Sequence, residues 1–372
     1  MTLSDSTDVF VIGGGPAGLV AAIAARRRGF KVIVADSAVP PIDKACGEGI
    51  MPDGLGAARA LGIDLETERA RRFDGIRFCD RDSAVEARFP RGSGLGIRRT
   101  ILHRYMVERA ADAGVRLAWG TTVSGIAGDT VSVAGRKVRA RWIVGADGGR
   151  SRVRRWAGLD RGSHESCRYG FRSHYRNEPW SELMELHWGD GCQLYITPTA
   201  DDEICVALLS SDPHLRLADA LPRFPAIARR LAHLDPLPPH PELGGVSASR
   251  RLKSVWRGNV VLVGDASGSV DAITGEGLCL LFQQSVALAA ALESGDLASY
   301  QQAHRRIGRQ PEFMAGLMLM LARHNGLRRR VIGAMAAHPR LFADMLAAHI
   351  REVSPLSAVR GGLVLGWRLL TL

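Results

Sequence analysis

The stretch DVFVIGGGPAGLVAAIAARRRGFKVIVADS, residues 8–37, admits few folds. A short apolar run ends on three glycines, an alanine-rich segment follows, and a second apolar run ends on Asp36. The order is strand, tight turn, helix, strand: a βαβ unit. Gly13, Gly15 and Gly18 stand at G-x-G-x-x-G spacing. The first glycine of such a unit permits the turn, the second lets backbone approach a pyrophosphate, and the third lets helix and strand pack closely. The free N–H groups that open the helix point at the phosphates. Asp36 ends the second strand, where an acid accepts from both ribose hydroxyls. That acid favours an unphosphorylated adenosine ribose, so FAD or NAD rather than NADP at this site.

Two further glycine turns follow apolar runs. IVGADGGRSRVRR (143–155) puts Asp147 after one of them, with Ser151 and Arg154 at helical spacing beyond. In GDASGSVDAITGEG (264–277), Asp265 follows the run NVVLV, and Gly275, Gly277 and Leu278 open a long apolar segment. Between the first two turns, residues 98–126 read as a helix and then strands. Arg99 starts that helix, four residues before His103; it meets either a phosphate or flavin-side group, or a surface ion pair. Residues 182–210 alternate polar and apolar, the period of antiparallel strands. An antiparallel sheet is thus inserted into a parallel α/β unit and forms one wall of a substrate pocket, which Trp188 and Tyr195 either line or back as core. PLPPHPELGG (236–245) reads as a Pro-rich loop before the return to the nucleotide domain.

The fold class expected is α/β: a Rossmann-like FAD-binding domain with an inserted antiparallel substrate sheet and a C-terminal helical region. The nucleotide domain is discontinuous, over 1–75, 98–160 and 250–300. The substrate domain takes 76–97 and 161–249, and the helices take 301–372.

The net charge of +11 comes mostly from arginine. The RRR runs at 26–28 and 328–330 read as solvated helix faces, and no nucleic-acid motif accompanies them. A basic surface favours anionic cofactors or anionic membranes, so the helices after 301 offer a peripheral membrane contact. The six cysteines are scattered, with no C-x-x-C pair and no histidine at metal spacing. We expect no metal site and no disulfide framework. The N-terminus reads as entering a strand directly, so no signal peptide is expected. No apolar run reaches the ~18–20 residues of a membrane span, which makes the cytoplasm the expected compartment. The methionine-rich stretch 313–322 is either helix core or a cover over a lipid-like substrate. The tail GGLVLGWRLLTL (361–372) either packs on the domain or lies in a membrane interface.

The order of the three turns resembles the flavoprotein monooxygenase superfamily, which has the fold of p-hydroxybenzoate hydroxylase. GDASGSVDAITGEGL together with KACGEGIMPDGLGAARALGI (44–63) is similar in detail to the geranylgeranyl reductase-like branch and its polyketide-associated relatives. The resemblance implies FAD, with contacts at Ala17, Asp36, Cys46, Gly47, Arg99, Val123, Asp265, Gly277 and Leu278. Asp265 would hold the ribityl chain, and the helix opening at Gly275–Leu278 would aim its positive end at the flavin pyrimidine ring. Cys46 and Glu48 of ACGEG would sit near the ring, Glu48 as a proton-handling group, or else both would only shape the loop. NADPH or NADH would visit transiently, since there is no second complete Rossmann unit. Two departures stand out: Ala272 replaces a common proline, and LYITPT (194–199) lacks the tryptophan of prenyl reductases. The activity this implies is hydroxylation of a hydrophobic phenolic or polyketide-derived small molecule by O₂. The alternatives are a saturase of isoprenoid double bonds and a non-catalytic prenyl or lipid carrier.

Overall fold

A computed structural model describes residues 4–67, 69–81, 83–238 and 241–351, with the side chains of 163–165 left aside. The chain opens with β1 (Ser6–Ile12), α1 (Pro16–Arg27) and β2 (Val32–Ala35). Next come β3 (Gly49–Ile50), α2 (Pro52–Ala60), β4 (Ala70–Phe73), β5 (Gly75–Asp80), β6 (Ser83–Arg88) and β7 (Gly94–Ile97). Helix α3 (Arg99–Asp112) leads to β8 (Arg116–Ala118), β9 (Val123–Ala127), β10 (Thr130–Val133), β11 (Arg136–Gly145) and the short α4 (Arg152–Trp156). Then β12 (Gly162–Arg176), β13 (Met184–Trp188), β14 (Cys192–Ala200) and β15 (Glu203–Ser210) precede α5 (Leu217–Ala220), α6 (Pro225–Leu231) and β16 (Leu243–Leu252). The chain returns through β17 (Trp256–Arg257) and β18 (Val260–Leu262) to α7 (Gly277–Ser294). It ends in α8 (Leu297–Arg323), α9 (Asn325–Ala337) and α10 (Pro339–His349).

The first sheet runs β17-β18-β11-β1-β2-β8, with the β9–β10 hairpin added on β11. From β18 to β8 the strands are parallel, with Val11 opposite both Val144 and Val34, and Val144 opposite Val261. This register decides where chemistry can happen. The glycine turns follow β1, β11 and β18, which are adjacent, so all three turns emerge at one edge of the sheet. In open α/β sheets the C-terminal edge is where ligands bind.

The second sheet runs β16-β12-β15-β14-β13-β5-β6. Its pairs are antiparallel except β13 with β5, which is parallel with Leu186 opposite Phe78. Strands β5 and β6 come from the early part of the chain, before α3, and β5 joins β13 in parallel. A small third sheet, β3-β7-β4, lies beside them. The Pro-rich stretch is shorter than expected as a loop, because β16 starts at Leu243 and pairs with Arg172. Trp188 is core: it is buried and meets Phe78 edge-on, with ring centroids 5.9 Å apart.

Two sequence expectations change in the helical part. Helix α7 is long and apolar enough to cross a bilayer. It instead packs against α1, α2 and α8 and is largely buried, as the core helix of a layered fold is. The RRR run at 328–330 is not wholly a solvated face. Arg328 is fully buried; its Nε donates to Asp80 Oδ2 at 2.9 Å, and its guanidinium stacks over Trp188. In the methionine-rich stretch, Met314 and Met318 are buried in the core while Phe313 and Met320 are exposed. Pro311 lies inside α8 and has no N–H for the carbonyl of Ile307, and the Arg351 guanidinium donates to that oxygen instead. The tail 361–372 lies outside the described residues.

Candidate active site

The first turn is built by close approach. A Cβ on Gly18 would come 1.9 Å from the Gly13 carbonyl oxygen, and one on Gly13 would come 2.4 Å from that of Ala146. These two glycines let α1 press onto β1 and let the first turn press onto the second. Gly15 differs: a Cβ there meets nothing within 4 Å, so its open side faces space. Gly15 is also the N-cap of α1, with no side-chain cap and no acid in the first turn, so the leading amides remain unsatisfied within the chain. Asp36 steadies the turn: Oδ2 accepts from the Gly14 amide at 2.6 Å and Oδ1 from the Ala38 amide at 2.8 Å. Each oxygen keeps lone pairs for further donors.

His103, read in the sequence only as a neighbour of Arg99, is fully buried under this turn. Its Nε2 lies 2.8 Å from the Gly14 carbonyl, so Nε2 carries the proton, and Nδ1 accepts from the Ile42 amide at 3.3 Å. Burial lowers its pKa and outweighs the opposing carbonyl, which agrees with this neutral tautomer.

The second turn serves the scaffold. Asp147 Oδ2 accepts from the amides of Arg152 and Val153, and Oδ1 accepts from Ser151. The Asp147 carboxylate thus caps α4, while its backbone amide sits against Gly13. Buried Arg154 donates to Asp160 at 2.7 Å and to the Ala266 carbonyl at 3.1 Å, tying the second turn to the third. Val123 is buried in the core with Val131 and Val133, in the same cluster as Ile12, Val153 and Ala266 beside the turns.

The third turn leans on the first. Gly264 has φ +60°, and a Cβ there would come 2.5 Å from that of Ala17 on α1. Asp265 carries an ion pair to Lys44 Nζ at 2.8 Å. Desolvation pushes the Asp265 carboxyl up, but Lys44 outweighs it and the pKa falls below the usual carboxylate value. Gly275 adopts the left-handed conformation and α7 begins at Gly277, with Leu278 buried; no side chain caps this helix either. Tyr195 on β14 donates to the Ile273 carbonyl at 2.7 Å, fastening the second sheet to this turn.

Between them runs the loop 43–49. Cys46 is half-buried, and its Sγ accepts from the Glu48 amide at 3.4 Å. Gly47 faces open space, and its carbonyl accepts from Thr197 at 2.8 Å. Glu48 is buried with φ +60°. Its Oε1 accepts from Arg172 at 2.7 Å and from the Arg99 amide at 2.8 Å, and its Oε2 lies 2.6 Å from His174 Nε2. Arg172 also grips both oxygens of Asp43 at 2.9 Å. One Glu48 oxygen thus accepts from a guanidinium and an amide, while the other contacts the His174 ring. Glu48, His174 and Cys205 also bring three metal-type donor atoms within 4.8 Å of one another. Arg172 fills that space, 3.3 Å from His174 Nε2, and a second cation there would be repelled. Burial, followed by the charge of Glu48, holds the Cys205 thiol well above its ordinary pKa.

Behind the start of α7 lies a group the sequence did not flag. Glu276 is buried, and its Oε2 has no hydrogen-bond partner among the described residues. It sits 3.9 Å from the equally unpartnered Nδ1 of buried His349. Burial, reinforced by Asp53, raises Glu276 to about 8, and burial lowers His349 to about 4.

These features fit FAD. Two helix starts without side-chain caps, those of α1 and α7, follow the first and third turns, and those turns touch through Ala17 and Gly264. Glycines at 15, 47 and 277 have open space where a Cβ would project. The buried Nε–H of Arg99 has no hydrogen-bond partner among the described residues, which leaves a donor for a cofactor oxygen. Gly13, Gly15, Ala17, Gly18, Asp36, Asp265, Gly275 and Gly277 line the turns, and Gly47 and Arg99 adjoin them through the Glu48 contacts. Bound FAD supplies the electron-transfer chemistry.

Comparison with known proteins agrees with this chemistry. The family model described as "FAD binding domain" matches residues 6–209. Menaquinone reductase of Mycobacterium tuberculosis is 30% identical over 331 residues, covering 80% of this chain and 79% of that protein. Digeranylgeranylglycerophospholipid reductase of Methanocaldococcus jannaschii is 26% identical over 318 residues, covering 80% and 78%. Among solved structures, a geranylgeranyl bacteriochlorophyll reductase-like protein of Thermoplasma acidophilum superposes with a TM-score of 0.76 at 18% identity, over 90% of this chain and 92% of that one. The fold is shared with FAD-dependent monooxygenases as well as with geranylgeranyl reductase-like proteins. The chain belongs to the FAD-binding domain family and is an FAD-dependent oxidoreductase.

Proposed function

We propose that this oxidoreductase saturates a carbon–carbon double bond in the isoprenoid chain of a hydrophobic substrate, with NAD(P)H as electron source. The observation that carries the reading is the buried His174–Glu48–Arg172–Asp43 cluster, bonded to the same loop and to the same Arg99 that the cofactor is expected to meet. Adding two electrons and two protons to an alkene requires an acid besides the reduced cofactor. Hydroxylation by O₂ has no such obligatory protein acid, and a buried proton site of this kind is then without a task. The names of the reductases from M. tuberculosis and M. jannaschii point the same way, since menaquinone and digeranylgeranylglycerophospholipid both carry isoprenoid chains. Hydroxylation, expected from the sequence, is the competing outcome.

In this reading the cluster's residues divide the work. Arg172 fixes Glu48 and Asp43, Glu48 orients His174 through Oε2, and the proton shared at His174 Nε2 is the one given to the substrate carbon. Cys46 and Gly47 shape the face of the loop. A general acid of this kind contributes about 10²–10⁴-fold.

The test is to incubate holoprotein with NADPH or NADH and a menaquinone bearing an unsaturated prenyl chain, with and without O₂. A product two mass units heavier, formed equally without O₂, is expected. His174→Asn should lower product formation by about 10²-fold or more while the rate of flavin reduction by NAD(P)H stays unchanged. A product gaining one oxygen, formed only in air, refutes the reading, and so does a His174→Asn variant with full turnover.

A further inference from the structure

Four large apolar side chains are exposed among the described residues: Val39, Val246, Phe313 and Met320. Two of them, Phe313 (71% exposed) and Met320 (41%), share α8 and stand seven residues apart, two turns on one face. The same solvent-facing stripe carries Arg306 and Arg309 before Phe313 and Arg323 after Met320, all exposed, over a length of roughly 25 Å. These three arginines make no salt bridge with any described residue, whereas Glu312, at the stripe's edge, faces Arg251. The opposite face of α8 is core, with Ile307, Met314, Met318 and Leu321 buried. A helix that is anchored on one side and shows bulky apolar residues flanked by unpaired arginines on the other has the chemistry of an interfacial helix. Its apolar residues enter the acyl boundary and its cations meet anionic headgroups.

We propose that the outer face of α8, centred on Phe313 and Met320 with Arg306, Arg309 and Arg323, docks the protein on an anionic lipid bilayer. Charge complementarity selects the occupant. The face carries cations without acids to balance them, which suits a negatively charged lipid surface and opposes stacking of a second, equally basic copy. The next helix adds exposed Arg329 and Arg330 just beyond Arg323. This inference concerns attachment and holds whether the bound FAD serves reduction or hydroxylation.

The experiment uses holoprotein and sedimented vesicles of pure phosphatidylcholine or of phosphatidylcholine with phosphatidylglycerol. Binding is expected only to the anionic vesicles, and it should weaken as salt rises. Each arginine near an anionic surface strengthens binding roughly fivefold, so the triple variant Arg306→Gln, Arg309→Gln, Arg323→Gln should bind about a hundredfold more weakly. Phe313→Asp should abolish most of the remainder. Both variants should keep FAD content and the rate of flavin reduction by NAD(P)H. The proposal is overturned if the unaltered protein ignores anionic vesicles at low salt, or if either variant binds as well as it does. It is also overturned if Phe313→Asp only splits a dimer and leaves vesicle binding intact.

Discussion

Gly15 and Gly18 lie three residues apart in one motif, yet the structure assigns them opposite sensitivities to a single methyl group. A Cβ on Gly18 would stand 1.9 Å from the Gly13 carbonyl oxygen, against 3.4 Å or more for an ordinary contact. Strand β1 and helix α1 must then part by about 1.5 Å, an overpacking change of the kind that costs about 1–3 kcal/mol. Alanine returns at most about 1 kcal/mol of helix propensity, so Gly18→Ala should destabilise the apoprotein by about 1–2 kcal/mol. At Gly15 the added methyl meets nothing within 4 Å, and the backbone, at φ −69° and ψ 175°, suits any residue. The apoprotein should therefore lose only about 0.5–1 kcal/mol, the difference between glycine and the poorer N-cap alanine. The penalty falls on the ligand instead. A methyl in the open space keeps a phosphate from the α1 amides, and losing one charge-assisted hydrogen bond costs about 1.5–3 kcal/mol, or roughly 10–100-fold in FAD affinity. Urea unfolding of the apoproteins measures the first effect, and quenching of flavin fluorescence on titration measures the second. If Gly15→Ala unfolds as easily as Gly18→Ala and still binds FAD at full strength, the assignment of packing to one glycine and phosphate access to the other is refuted.

The other predictions rest on buried charge. Arg328→Met leaves Asp80 buried without its guanidinium and should cost about 3–5 kcal/mol in urea unfolding, whereas adding Asp80→Leu to it should recover most of the loss. Glu276 has a folded pKa of about 8 against an ordinary 4.5, so its stability contribution is intact below pH 4.5 and is lost as pH rises through 8. Glu276→Gln should remove that slope. Between pH 6.5 and 8.5 the parent apoprotein should weaken by on the order of 1–2 kcal/mol more than the variant does, and parallel curves would sink the argument. The window avoids His349, which is lowered to about 4 by burial and costs stability only as pH falls below 6.5; Asp53 and Arg351 face Glu276 alike in both proteins.

Local geometry explains what the sequence made legible. A G-x-G-x-x-G turn, a strand ending on Asp-Gly and an alternating run each encode their own backbone within some ten to thirty residues. So the βαβ unit at 8–37, the turns at 147 and 265 and the strands of 182–210 were all readable. What escaped depends on which distant strands become neighbours. Arg328 looked like one of three solvated arginines because Asp80 is 248 positions away. The parallel join of β13 to β5 is invisible to an alternation pattern, which gives a strand's period and not its partner. The Asp-Gly turn at 147 looked like its counterpart at 265, yet the Asp147 carboxylate accepts from the amides of α4, a use that leaves no mark beyond Ser151 four residues on.

Glu48 shows the same limit at the centre of the chemistry, and its surroundings also explain why the loop holds its shape. The sequence offered Glu48 as a lone proton-handling group in a glycine loop. Its partners Arg172 and His174 stand 124 and 126 positions away, and only the pairing of β12 with β15 and β16 turns them toward the loop. A glutamate at φ +60° is strained by on the order of 1–3 kcal/mol and persists only where its surroundings over-determine it. Three donors from two elements do so here: the Arg99 amide at the start of α3, and Arg172 and His174 on β12. Arg172 extends the hold to Asp43, five residues earlier in the same loop. The loop that adjoins the nucleotide turns is therefore clamped from the second sheet, and a substrate that shifts β12 must shift the cofactor's surroundings with it. Removal of Arg172 leaves buried Glu48 and partly buried Asp43 without their cation, so its loss should disturb both sides of the site together, unlike the loss of His174, which leaves the Arg172–Glu48 pair in place.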